Sequence, residues 1–260
     1  MNRITRIRKG FEQAGEIVLK IQKRMETVEK EFRKWLDENG IEAKDFEGVV
    51  EELSQNLYEN TKEIADHNSK FGWTLAGAMD PFIYIDDQLL GKSKEELDAH
   101  FYNYYSEEDW NSYKVLKKDI VGRIDPKWNE LIDDCFFLFE NDRYKSAIPV
   151  LFSVIEGELG TTLDSDEVGT RLVRDMKRAA KGEEARFRKV VLYSIVKCFD
   201  KGLFVRNEFK DERKPVINRH WVSHGRDNPN LWEEVDFLRL ITVLNSIQFV
   251  QEMAEEEKTS

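Results

Sequence analysis

The sequence has little of what marks membrane and secreted proteins. It contains 2 cysteines and 5 prolines in 260 residues, and no apolar run in it approaches the length that crosses a bilayer, which is about 20 residues. The stretch MNRITRIRKGFEQ lacks the uninterrupted apolar segment of a secretory signal. We therefore expect a soluble, cytoplasmic protein that does not associate with membranes.

The two cysteines do not indicate a disulfide or a zinc site. Cys135 lies in DDCFFLF and Cys198 in IVKCFD, and both segments have apolar helical patterns. Such positions suit small core residues in a reducing compartment. We expect both thiols to be buried and free.

Motifs of several enzyme classes are also missing. There is no glycine-rich phosphate loop, which argues against an ATPase or a dinucleotide enzyme. Ser223 stands beside His224, but the sequence has no Gly-x-Ser-x-Gly turn and no strand that could carry one. A serine hydrolase is therefore not supported.

The net charge of -11 argues against a protein that coats nucleic acid without specificity. One stretch departs from this balance, because RLVRDMKRAAKGEEARFRKVV (residues 171–191) is basic. This asymmetry suggests an anionic partner. A solvated charged helix face is the alternative, because Leu172, Val173 and Met176 form an apolar side opposite the charges.

What the sequence does contain is helical periodicity. Apolar residues from Ile4 to Trp35 recur at alternating spacings of three and four, which predicts one long heptad helix ending at Asn39-Gly40. Its apolar seam could pack within the chain or form an intermolecular coiled coil. A second helix is predicted at about 45–66, followed by a loop in HNSKFGWTLAGAMDPF.

Capping patterns place further helices. Ser93 with Glu96, and Ser106 with Asp109, resemble capping boxes, while Asp125-Pro126 is typical of a helix start. Further helices are predicted at about 126–141, 143–160, 165–181, 183–200, 215–224 and 231–256. PFIYIDD is the only strand candidate.

The predicted fold class is therefore all-α. The segment GRIDP supplies glycine and proline between helical runs, so we divide the chain into an N-terminal helical region at 1–124 and a helical domain at 125–260.

The stretch INRHWVSHGRD (residues 217–227) concentrates chemically active side chains. His220 and His224 are four residues apart, which would place both on one face of a helix. The residue after the first histidine is Trp221, where a zincin has glutamate, and no third histidine is near. We therefore expect no metal and no other cofactor.

An arginine and a histidine together suit a metal-free reaction on a phosphodiester. Histidine titrates near neutrality and can transfer protons, whereas the permanently charged guanidinium can stabilise a developing phosphorane. Arg219 and His224 supply these two groups within one short helix.

RHWVSH (residues 219–224) resembles the signature of the HEPN superfamily, in which Arg is followed by a polar residue and, four to six residues on, by His. His220 occupies the polar position. VINRHWVSHG, together with RYKSAIPVLFSVIEGEL (residues 143–159), resembles HEPN-type proteins of abortive infection and phage defence. The resemblance covers about residues 128–256, so the predicted architecture is an N-terminal long-helix region followed by a HEPN-like helical bundle.

The resemblance implies a metal-independent endoribonuclease whose site forms across a homodimer and leaves a 2′,3′-cyclic phosphate and a 5′-hydroxyl. It implies that Arg219 stabilises the scissile phosphate, that His224 acts as general acid or base, and that His220 orients the phosphate or its partner. An antitoxin or regulatory partner would fit this family.

Three further residues are expected to contact substrate: Asn218, Arg226 and Glu156. For Glu156, in the apolar SVIEGEL, the alternatives are support of the Arg/His site or pairing with an internal arginine.

A single straight helix does not bring Arg219 and His224 together. Arg219 and His224, five residues apart, point about 140° from each other on a straight helix. A distorted last turn at Gly225, the reach of the arginine, or a second copy across a dimer axis would resolve this. A non-catalytic HEPN-like module that binds RNA, a nucleotide or a protein, and a purely structural helical scaffold, remain the alternatives.

Overall fold

The structure, a computed structural model, describes residues 59–182 and 186–259. In these two ranges the chain is 74% helical, with nine helices and no strand. The all-α prediction is confirmed for this part of the chain. The predicted heptad helix, and residues 45–58 of the predicted second helix, lie outside the described residues.

The helices are numbered here in chain order. The first, α1, covers residues 59–70. The others are α2 (Pro81–Tyr84), α3 (Lys94–Arg123), α4 (Asn129–Glu140), α5 (Tyr144–Leu163), α6 (Thr170–Gly182), α7 (Arg186–Cys198), α8 (Arg219–Ser223) and α9 (Glu234–Thr259). Short 3-10 turns occur at Asp87–Leu89, Pro126–Trp128 and Pro229–Leu231, and a π-helical turn at Phe199–Leu203 follows α7.

Two of the predicted caps are present. The Ser93 hydroxyl accepts from the Glu96 N–H, and the Glu96 carboxylate accepts from the Ser93 N–H, which is a complete capping box at the start of α3. The Asp125 carboxylate accepts from the Lys127 N–H, and Pro126 opens the 3-10 turn before α4. These helix starts are confirmed.

Two local predictions are wrong. PFIYIDD begins with α2, because Asp80 caps it and Pro81 occupies the first helical position, where a missing N–H costs nothing. Ser106 does not cap a helix, since its hydroxyl donates to the Asn103 carbonyl. The helical backbone of α3 is instead interrupted at 107–110, where three successive residues, Glu108 to Trp110, have left-handed φ angles of 50°, 56° and 61°.

The core is built around α9. Every residue from 235 to 250 is buried, and α9 packs against α3, α5 and α7. Thr61–Ser260 forms one compact unit. Within this unit α3 and α4, which lie on either side of residues 124 and 125, contact each other.

A buried ionic cluster ties the FGWTL segment to α9. Arg239 has no exposed surface, and its guanidinium pairs with the carboxylates of Asp98 and Asp236. The Trp73 indole N–H donates to Asp98 Oδ1 at 2.9 Å, and its ring lies under the guanidinium at 5.2 Å. Gly72 has φ +87°, and a Cβ there would lie 2.2 Å from Arg239 Cδ. The segment can therefore approach α9 only with glycine at this position.

Both cysteines are buried and free, as predicted. Burial raises the pKa of the Cys135 thiol to about 12 and raises the pKa of the Cys198 thiol further. Both sulfurs are therefore protonated and inert at neutral pH. None of the described helices combines the length and the apolar character needed to cross a membrane.

Candidate functional site

The side chain of Asn218 fixes the start of α8. Its carbonyl oxygen accepts from the Trp221 N–H at 3.3 Å, and its amide nitrogen donates at 2.9 Å to the carbonyls of Gly202 and Val205. Asn218 is 3% exposed. Asn218, one of the expected substrate contacts, therefore anchors α8 to the π-helical turn and to the segment that follows it.

The end of α8 is set by Gly225. This residue has φ +63°, its N–H donates to the Val222 carbonyl at 3.1 Å, and the next N–H, of Arg226, donates to the Trp221 carbonyl at 2.8 Å. This pair of bonds is a Schellman motif. The predicted helix end is confirmed, and it leaves His224 and Arg226 exposed on a tight turn.

The two histidines form a pair. The ring centroids of His220 and His224 lie 4.7 Å apart with an interplanar angle of 75°, as expected for residues four apart on a helix. His220 is half-buried and His224 is exposed. In the parts of the chain that the structure describes, no three His, Cys, Asp or Glu side chains gather as metal ligands.

Arg219 points away from this pair. Its guanidinium donates to Glu156 Oε2 at 2.6 Å, and the other carboxylate oxygen of Glu156 accepts from the Gly169 N–H. The Arg219 and Glu156 side chains are 28% and 12% exposed. Glu156 therefore pairs with an internal arginine, which is one of the two alternatives for this residue. Because that arginine is Arg219 of the motif, the same contact also joins Glu156 to the Arg/His cluster.

The divergence expected from helix geometry is thus present within one chain. No hydrogen bond, ion pair or ring contact between Arg219 and His224 is present in the described structure. Neither a distorted last turn nor the reach of the arginine brings them together here.

Phe209 is the member of the cluster that sequence reasoning missed. Its ring stacks on His220 with centroids 4.9 Å apart and an interplanar angle of 6°, and it meets His224 edge-on at 5.8 Å. Phe209 is 47% exposed. The available signal was weak: one aromatic residue within the charged run RNEFKDERK.

Arg226 completes the cluster. Its guanidinium carbon lies 5.4 Å from the centroid of the Phe209 ring. The neighbouring carboxylate, Asp227, is 98% buried as a side chain and is engaged by Arg213, at 2.7 and 3.3 Å, and by the Trp232 indole N–H at 2.9 Å. Because Asp227 is engaged elsewhere, the Arg226 guanidinium lies against the ring that both histidines contact.

The environment of His220 lowers its pKa. Partial burial is the largest cause, and the positive charges of His224, Arg206 and Arg219 add to it, whereas Glu208 opposes it. His220 is therefore neutral at pH 7 and able to accept a proton or a hydrogen bond.

A basic stripe runs along α6. Arg171, Arg174 and Arg178 have side chains that are 70%, 56% and 70% exposed, while Leu172, Val173 and Met176 are buried on the opposite side. Two carboxylates partly neutralise the stripe, since Arg171 and Arg174 lie near Glu167 and Arg178 pairs with Asp175. The helix begins directly after Gly169, beside Arg219.

An open groove of about 550 Å³ lies beside Arg219 and is acidic. Its charged lining residues are Glu156, Asp164, Asp166 and Glu167. Such a groove repels a polyanion.

Comparison of the chain with protein-family models, curated proteins and solved structures gave no match.

Proposed function

We propose that the protein is a metal-independent endoribonuclease of the HEPN type that acts as a homodimer in phage defence or in a toxin-type stress response. The observation that carries the proposal is the pair of half-buried His220 and exposed His224, which lies beside Phe209 and Arg226 at the helix that also bears Arg219.

Two adjacent imidazoles suit the proton transfers of RNA cleavage. The 2′-oxygen attacks phosphorus and loses its proton to a base, the P–O5′ bond breaks, and an acid protonates the leaving 5′-oxygen. His224 is the proposed acid or base, and neutral His220 orients the phosphate by donating its ring N–H to a phosphate oxygen. The products are a 2′,3′-cyclic phosphate and a 5′-hydroxyl, so the step requires no metal or redox partner.

Arg219 is proposed to contact the scissile phosphate that lies at the His224 of a second copy. Within one protomer the Arg219 guanidinium is held by Glu156 on the other side of α8. A two-fold axis that brings two copies of α8 together would let each arginine reach the scissile phosphate at the partner's histidines, with charge stabilisation in the transition state as its role.

The test is RNA cleavage in EDTA by wild type, Arg219→Ala and His224→Ala. We expect cleavage to persist in the chelator and to fall by roughly 100- to 1,000-fold in either variant. Arg143→Ala, at an exposed arginine preceding α5, is the control and should cleave like wild type. Cleavage that is lost in EDTA, or that survives both substitutions, would contradict the proposal.

Mixing the two inactive variants tests the shared site. If each site takes Arg219 from one protomer and His224 from the other, half of the dimers are mixed and half of their sites are intact, so up to about a quarter of the activity should return. A site contained within one chain would regain nothing.

A non-catalytic RNA-, nucleotide- or protein-binding module is the second candidate. The ion pair with Glu156 favours it, because a neutralised Arg219 is a weaker phosphate ligand. Binding of RNA that survives both substitutions, without cleavage, would support this candidate.

A further inference from the structure

We propose that Phe209 is a base-stacking residue that holds a nucleobase of single-stranded RNA beside the phosphate facing His220 and His224. This inference rests on the proposed function, because the RNA would be the substrate of the same site. It adds a specificity-determining residue that lies outside the Arg/His motif.

The backbone presents Phe209 at the tip of a tight turn. The Asp211 N–H donates to the Glu208 carbonyl at 3.1 Å, and the Asp211 carboxylate accepts from the Glu208 N–H at 2.9 Å. Below the turn, the Trp221 indole N–H donates to the Asn207 carbonyl at 3.4 Å. The turn is thus closed by its own hydrogen bonds and attached to α8, so the ring is positioned before any ligand arrives.

The ring does not serve the core. Phe209 is 47% exposed, and its ring contacts are to His220, His224 and Arg226. A phenylalanine that stabilised the fold would bury most of its apolar surface. An exposed ring that is parallel to an imidazole and close to a guanidinium forms instead a flat, electron-rich platform.

Such a platform fits a nucleobase. Bases stack on aromatic rings and on guanidinium planes, and single strands leave their bases free to do so. A base can extend the stack of His220 and Phe209 or take the place of the exposed Arg226 guanidinium. In a duplex the bases are already stacked on each other, which is why the expected ligand is single-stranded.

The charges around the platform favour the attached phosphates. Arg206, Lys210 and Arg226 are exposed near it, and the opposing carboxylates are Glu208, close to His220, and Asp211, which accepts from the Glu208 N–H. A base on Phe209 would leave its neighbouring phosphate at the histidines, because both imidazoles contact the same ring.

The experiment separates binding from cleavage. A single-stranded 2′-O-methyl oligonucleotide, which lacks the attacking hydroxyl, carries 2-aminopurine at one position and is titrated with full-length protein in EDTA. Wild type is expected to quench the fluorescence. Phe209→Leu, which keeps the apolar bulk but removes the π face, should lose the quenching and bind about 5- to 150-fold more weakly. Phe209→Tyr should restore both properties.

Two controls fix the interpretation. Phe137→Leu, at a phenylalanine that is 62% exposed on α4, should behave like wild type. An abasic residue in place of the 2-aminopurine should weaken binding to wild type by a similar factor and leave Phe209→Leu unaffected, because the removed base and the removed ring belong to one contact.

The outcomes distinguish this inference from the ribonuclease proposal. Equal quenching and affinity for wild type and Phe209→Leu, or no binding by wild type, would overturn the stacking role. Cleavage of 2′-hydroxyl RNA that depends on Arg219 and His224 would still support the ribonuclease. Conversely, binding that depends on both Phe209 and the base, without any cleavage, would retain the stacking role and refute the ribonuclease.

Discussion

The Arg219 guanidinium donates to Glu156 Oε2 at 2.6 Å across 63 residues of sequence, so the arginine of the Arg/His motif is held by α5 and not by its own histidines. The same carboxylate accepts from the Gly169 N–H, which places the start of α6 next to the pair. Glu156 is thus a positioning residue for Arg219.

Replacing either partner of this pair should be destabilising. Glu156→Ala leaves a half-buried guanidinium and the Gly169 N–H without their acceptor, and we expect a loss of about 1–3 kcal/mol in the free energy of unfolding. Arg219→Ala should add little in the Glu156→Ala background, since the interaction is already gone. Urea denaturation of both single variants and the double variant measures the coupling. Additive losses would show that the pair contributes nothing.

The matched control for this cycle is an exposed ion pair. Arg171 lies 3.5 Å from Glu167 with its side chain 70% exposed, so Arg171→Ala should change stability by less than about 0.5 kcal/mol.

The lowered pKa of His220 gives stability a pH dependence with a defined sign. Its pKa is lower in the folded state than the value of about 6.5 in an unfolded chain. The unfolded state therefore takes up a proton first, and stability falls as pH drops from about 7.5 through the unfolded pKa. His220→Asn should remove this component, giving a shallower decline between about pH 7.5 and 5 in urea denaturation.

Comparison with wild type isolates this effect, since other titrating groups contribute equally to both proteins. Parallel stability curves for wild type and His220→Asn would mean that burial and the nearby cations do not act on this imidazole.

The basic stripe on α6 should set the salt dependence of RNA binding. If Arg174 and Arg178 each contact one phosphate, replacing both by Ala lowers the slope of log K against log salt by about 1.4, or about 0.7 per phosphate on a single strand. Lys114→Ala with Lys118→Ala, on α3, removes the same charge elsewhere and should leave the slope nearly unchanged. Equal changes in the two double variants would indicate an effect of net charge alone.

The left-handed backbone at the interruption of α3 predicts that a substitution to glycine there stabilises the protein. Glu108 is exposed and has φ 50°, ψ 49°, a conformation that costs an L-residue about 1–2 kcal/mol and glycine very little. We expect Glu108→Gly to raise the free energy of unfolding by about 0.5–1 kcal/mol, after the greater entropy of glycine in the unfolded chain is subtracted. Thermal or urea denaturation measures it.

The opposite sign is expected about two turns into the regular helix that follows the interruption. Lys118 is exposed in the α3 segment after the interruption, and Lys118→Gly should lower stability by about 1 kcal/mol. Two losses of similar size would refute the left-handed conformation at Glu108.

Local signals were sufficient for much of the fold. The capping box at Ser93, the Asp125-Pro126 start and the glycine end at Gly225 act within four residues, so their hydrogen bonds can be inferred from adjacent sequence. The predicted helices at about 143–160 and 231–256 correspond to α5 and α9, because their apolar residues recur with helical spacing.

Features that depend on distant residues were less accessible. The sequence indicated that Glu156 either supports the Arg/His site or pairs with an arginine, but it did not identify Arg219 as the partner. Phe209 stacks on His220 across a non-helical segment, which has no periodicity from which the contact could be predicted. The helix start predicted at Ser106 lies next to the interruption, but the left-handed conformation of Glu108, Asp109 and Trp110 was not predicted, because residues other than glycine adopt it rarely.

Burial of α9 on every side sets the order of events during synthesis. Its partners α3, α5 and α7 all precede it, and the hydrogen bonds of Thr74 with Ser246 and of Tyr105 with Thr242 join segments more than 130 residues apart. A nascent chain that has not yet extruded residues 235–250 lacks the helix on which all three pack. Because residues 235–250 follow all three partners in the sequence, the core around α9 can assemble only after these residues have been synthesised.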